Sequence, residues 1–174
     1  MAKMQLAYDG NPVLRKKAQP VKVVDSLVGQ LLDDMLETMY ASNGIGLAAP
    51  QVGISKRIIV ADIGDEETGP VKMINPRIVE RSGNVLGLEG CLSIPNVYGD
   101  VERAERVVVK GLDERGKPVV YEAEGLMARV FQHEIDHLDG KLFTDVATNI
   151  RTVTPEELEQ ARSEGRYEPA LDNV

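Results

Sequence analysis

Both histidines of this 174-residue chain fall inside one hexapeptide, "QHEIDH", residues 132 to 137. On a helix, residues four apart share a face, so His133 and His137 present two imidazoles side by side and Glu134 projects at their flank. A single histidine on an apolar helix face is most often a hydrogen-bonded core residue. Two of them at this spacing, with a glutamate directly after the first, arise together by chance in about one chain in a thousand, and the joint pattern reads as a pair of metal ligands beside a proton acceptor. The fold must therefore turn this helix inward and bring a distant segment to meet it, because a catalytic site of the Zn²⁺ type takes three protein ligands and keeps one position open.

No third histidine exists, and by its chemistry the nearest candidate for the third ligand is Cys91, the only cysteine, in "LEGCLSIP" (88 to 95). A single cysteine excludes an internal disulfide and leaves three readings: an inert buried thiol, a nucleophile or a ligand. One thiolate with two neutral imidazoles suits Zn²⁺, Fe²⁺, Co²⁺ or Ni²⁺. A formal charge of −8 opposes nucleic-acid phosphates and anionic lipids, so neither DNA nor a membrane is an expected partner. The start of the chain, "MAKMQLAYDGNPVLRKK", lacks the apolar core of a secretion signal, and the expectation is a cytoplasmic protein.

The length suits a single catalytic domain over 1–174, able to bury roughly 70% of the surface its unfolded form exposes. Leu27, Leu31, Met35 and Met39 repeat every four residues and predict an amphipathic helix from Ser26 to Tyr40, closed by "SNG". "GIGLAAPQVG" (44 to 53) is too rich in glycine for a long helix and reads as an extended or looping segment. Short β-rich runs follow at 57–62, 71–76, 106–113 and 118–124, the last two joined through "ERGK" as a hairpin. The helical period returns from Gly125 to Leu138, with Leu126, Val130, His133 and His137 on one stripe and "DG" as the stop. In "TPEELEQARSEGR", Thr154 reads as N-cap, Pro155 as the first helical residue and Glu157 as the partner in a capping box. The expected class is α+β: mostly antiparallel sheets packed around a central ligand-bearing helix, with an N-terminal and a C-terminal helix.

"GIGLAAPQ", "EGCLS" and "QHEIDH" together resemble the three signature motifs of the peptide deformylases, in that family's order and with similar separations, and the likeness extends over about residues 8 to 145. The resemblance implies that Cys91, His133 and His137 hold one divalent metal ion, natively Fe²⁺, and that Glu134 is the general acid and base. It implies a hydrolase acting on N-formyl-methionyl nascent peptides in protein biosynthesis. It also assigns the Gln51 side chain and the Leu92 backbone N–H as donors to the developing oxyanion. Gly44 and Gly46 serve a turn, leave room for a substrate peptide to lie alongside the backbone like an added strand, or do both, and Gly90 is expected to join them in binding substrate. Ile45, Leu126 and Val130 divide between core packing and lining a methionine pocket. Glu89 and Asp136 read either as surface charges or as partners that orient a ligand imidazole, with Arg103 as an ion-pair partner for Glu89.

Two other readings compete. A metallopeptidase cutting internal peptide bonds would take its third ligand from a further His or Glu, which "EGCLS" argues against. A non-catalytic metal module would need a fourth protein ligand, and with one cysteine and two histidines only a carboxylate could supply it. Residues 151–174 hold six acids against three arginines, so an acidic C-terminal helix and tail do not support docking on ribosomal RNA.

Overall fold

The computed structural model describes residues 3–164, so residues 165–174 of the acidic tail lie outside the described part. Two antiparallel sheets flank one helix. The larger sheet joins β1 (Gly46–Ala48), β2 (Ile58–Ala61), β3 (Val71–Ser82), β6 (Arg106–Leu112) and β7 (Pro118–Glu124) in the order β1-β2-β3-β6-β7. The smaller joins β4 (Val85–Cys91), β5 (Ile94–Arg103) and β8 (Thr148–Arg151) in the order β4-β5-β8. The helices are α1 (Ser26–Ala41), α2 (Gly125–Leu138), the short α3 (Phe143–Val146) and α4 (Pro155–Ser163). This is the expected α+β arrangement. No helix among the described residues is long and apolar enough to cross a membrane.

The four residues of β2, "IIVA", are buried on both faces, which is why that stretch is apolar throughout rather than alternating. Ile58 and Val60 pack with Val28, Leu32, Met35 and Met39 of α1. Ile59 and Ala61 face the other way, into a core with Ala128, Val130, Phe131 and Ile135 of α2. The larger sheet is thus sandwiched between α1 and α2. A third core gathers Cys91, Ile94 and Val101 of the smaller sheet with Leu14, Leu142 and Phe143.

Helix boundaries follow their local chemistry. The Asp25 side chain caps α1 at the N–H of Val28, and the chain leaves it through Asn43 in the left-handed region, φ 57°. Gly140, φ 73°, stops α2 as expected from "DG". The Thr154 hydroxyl accepts the N–H of Glu157 at 3.2 Å, the bond that defines the start of α4.

The strands depart from expectation in three places, one of them the short β8, which lies beyond every expected run. The run at 71–76 extends through Pro76 to Ser82, because the register of β3 against β6 shifts between Ile74 and Arg77 and a proline is tolerated at such an irregularity. Asn75 takes φ 53° there and braces the bend by exchanging two hydrogen bonds of 2.9 Å with the backbone of Val21. β4 and β5 were not expected either, because glycines, a proline and an asparagine interrupt the few β-branched residues of "VLGLEGC" and "IPNVYGDVER".

Candidate metal centre

The β4–β5 hairpin turns at Leu92 and Ser93, with Cys91 paired to Ile94, and this tight turn holds the thiol at the end of a strand. α2 lies against it. Cys91, His133 and His137 are all buried, and one ligand atom from each lies within 4.8 Å of the others. Cys91 Sγ is 3.5 Å from His137 Nε2. A tetrahedral ion bonded to sulfur at 2.3 Å and nitrogen at 2.1 Å separates the two by about 3.6 Å. His133 Nδ1 lies 3.0 Å from Glu89 Oε1, while its Nε2 is buried with no hydrogen-bond partner. Donation of the Nδ1 proton to Glu89 leaves the Nε2 lone pair for a metal. The residues therefore fit a divalent ion: two imidazole nitrogens and a thiol converge, and an orphaned buried nitrogen needs a partner.

Electrostatics agree. Burial, reinforced by the charge of Glu134, pushes the Cys91 thiol up. A thiolate here needs a cation beside it, as a divalent metal would be. Burial, and then the neighbouring His133, hold His137 well below the ordinary imidazole range, which keeps it in the neutral form that ligates. Burial, with the charge of Glu89 next, holds the Glu134 carboxyl well above its usual range. Both Glu134 oxygens are buried without a hydrogen-bond partner.

Gly46 explains how Glu134 fits. A Cβ on Gly46 would stand 2.5 Å from Glu134 Oε2 and 2.9 Å from Val130 Cγ1, so β1 can pass over α2 only with a hydrogen at this position. Gln51, fully buried in a 3₁₀ turn after β1, accepts the Ala48 N–H through Oε1 at 2.9 Å. Its amide nitrogen consequently points at the centre, 3.2 Å from Ser93 Oγ and 3.7 Å from Cys91 Sγ. Leu92 is half-buried at the hairpin turn; Gly44, Gly46, Gly90 and Val130 are buried, and Ile45 and Leu126 are half-buried. β1 and β4, which bear Gly46 and Gly90, are each the outermost strand of their sheet.

Glu89 is fully buried and belongs to the interior. Burial opposes its ionisation, but the hydrogen bond with His133 and the guanidinium of Arg103 outweigh that and hold its carboxyl well below the usual range. Arg103 Nε and Nη2 each donate to Glu89 at 3.0 Å, and Nη1 donates to Asp136 at 2.7 Å. Arg129, also buried, donates to the same carboxylate. The sequence reading did not single out Arg129 or Ser93. The one available signal for Arg129 was a lone charge in the apolar "LMARVFQ", one turn before His133.

A helix-borne pair of imidazoles, a thiol from a facing hairpin and a buried carboxylate beside them make up the site of a metal-dependent hydrolase. The family model of the polypeptide deformylases matches residues 3–153. A peptide deformylase of Symbiobacterium thermophilum is 53% identical over 164 residues, 94% of this chain and 76% of that protein. One from Acetivibrio thermocellus is 49% identical over 173 residues, 99% of each chain. The crystal structure of the Thermotoga maritima peptide deformylase superposes with a TM-score of 0.81 at 46% identity, covering 85% of this chain and 99% of that one. The chain belongs to the polypeptide deformylase family.

Proposed function

We propose that the protein removes the formyl group from the N-terminal formyl-methionine of newly made polypeptides, by metal-dependent hydrolysis at the Cys91–His133–His137 centre. The observation that carries this reading is the convergence of those three buried ligands beside an unbonded, buried Glu134, in a chain of the deformylase family. The endopeptidase and closed-module readings find no support in that family or in the cluster of three ligands.

Cys91 Sγ and the imidazoles of His133 and His137 would hold a divalent ion, which when bound would supply Lewis acidity toward water and the formyl oxygen. Glu134 takes the proton of the attacking water and returns it to the leaving amine, a role that its raised proton affinity suits. The Gln51 amide and the Leu92 N–H donate to the oxygen that gains charge. Ile45, Leu126 and Val130 hold the methionine side chain, and the small residues Gly44, Gly46 and Gly90 let the substrate backbone lie against the outer edges of β1 and β4.

The native ion in this reading is Fe²⁺, and the enzyme works as one catalytic domain in the cytoplasm, with the acidic segment from 151 onward outside the chemistry. Oxygen should inactivate the iron-loaded form faster than the nickel- or zinc-loaded form, because a ferrous ion and a thiolate share the site. Equal half-lives in air would remove the case for iron. The test of the function compares a formyl-methionyl peptide with the same peptide acetylated. A preference of about a hundredfold or more in kcat/KM for the formyl group supports it, and equal rates would overturn it.

A further inference from the structure

Arg129 occupies an unusual place: a buried guanidinium on the ligand helix, one turn before His133, whose Nη1 and Nη2 both donate to the smaller sheet. Nη1 donates to Glu89 and, at 3.1 Å, to the carbonyl of Val101, and Nη2 donates to the carbonyl of Val85 at 2.9 Å. The three acceptors lie on β4 and β5, around the Gly87–Val101 pair of the ladder. Gly87 makes this possible. A Cβ there would stand 3.0 Å from Arg129 Nη2 and 3.1 Å from Cζ, so the guanidinium packs over the strand where a side chain would otherwise project.

We propose that Arg129 and Gly87 form a positioning device that fixes the distance between the two halves of the metal-ligand set. Both imidazoles ride on α2, whereas the thiol rides on β4, four residues beyond Gly87. Arg129 ties helix to strand directly and also holds Glu89, the acceptor of the His133 ring. Lysine would preserve the charge but could not reach three acceptors on two strands with one fork of donors. This inference rests on the metal-hydrolase reading and concerns which residues hold the ion in place.

The experiment uses full-length protein loaded with Ni²⁺ and follows transfer of the ion to excess EDTA by the loss of thiolate-to-nickel absorption, at a temperature where every variant is folded. Arg129→Met should release nickel about tenfold faster than the unaltered protein or more. Arg129→Lys should fall between the two. Gly87→Ala should also speed release, yet add nothing in the Arg129→Met background, where the displaced group is gone. A contribution to folding alone would lower the melting temperature and leave release unchanged. Release by Arg129→Met within about twofold of the unaltered protein would overturn the proposal, as would an undiminished effect of Gly87→Ala in the double variant. Should Arg129→Met fail to fold, unaltered release from both Arg129→Lys and Gly87→Ala would overturn it equally. An unaltered protein that holds no nickel at all would defeat the metal-hydrolase reading itself, and this inference with it.

Discussion

The position of Glu134 suits the proton-handling role proposed for it: it is buried, neither oxygen has a hydrogen-bond partner among the described residues, and Gly46 packs against Oε2. Glu134→Gln keeps the shape and removes the base. It should bind a full complement of metal and lose about 10² to 10⁴ in kcat, measured on a formyl-methionyl peptide beside elemental analysis. Cys91→Ala should lose the ion, and a stoichiometric ion in that variant would exclude the thiol as an essential ligand. At this scale the sequence was legible where chemistry repeats locally. The helical spacing of His133 and His137 exposes them as a pair, with Glu134 at their flank. Gln51 and Leu92 were visible only through the family resemblance, since nothing about an isolated glutamine tells which way its amide points. Glu89 and Arg103 could as well have been surface charges, because pairing across two strands and a helix leaves no periodic trace.

Elements place these residues. β1 is three residues long and lies against α2 through a position that admits no side chain. Gly46→Ala should therefore cost about 1–3 kcal/mol of stability by overpacking, read from denaturant unfolding, and should reduce kcat by displacing Glu134. An alanine variant with unaltered stability and rate would show that β1 yields easily. The approach to β1 is pinned by Tyr40 of α1, whose hydroxyl donates to Asp62, while the Asp62 N–H donates to the carbonyl of Ile45 at 2.9 Å. Burial, and then the hydrogen bond to Asp62, raise the Tyr40 hydroxyl from 10.0 to about 12. An acid whose value is raised on folding stabilises fully below its unfolded value and loses that contribution as pH climbs to the folded one. Stability should thus decline between pH 10 and about 12, and Tyr40→Phe should abolish that part of the decline. A slope unchanged in Tyr40→Phe would contradict it. The bounds of α2 were readable because its apolar period and its "DG" stop are both local. β4 and β5 were not, since their pairing and the arginine laid over Gly87 compensate for poor strand propensity, and such compensation is tertiary.

Over the whole molecule the family match ends at residue 153, and α4 follows it. Its few apolar residues do find a seat: Ala161 is buried with Leu88 of β4, and Leu158 and Tyr98 pack against them. Ending the chain after Thr152 would uncover Leu88, worth about 1.5–3 kcal/mol at most, and should lower the melting temperature while leaving kcat/KM within about tenfold. A larger loss of activity would show that α4 braces the strand carrying Cys91 and Glu89. In the proposed mechanism, three ligands assembled from two elements serve one proton-handling glutamate in deformylation. Its most direct test is formate release from a formyl-methionyl peptide by the unaltered protein and by Glu134→Gln, each holding one metal ion per chain. Release should be rapid from the first and at least about a hundredfold slower from the second. Release by Glu134→Gln within about tenfold of the unaltered protein, at equal metal content, would contradict it.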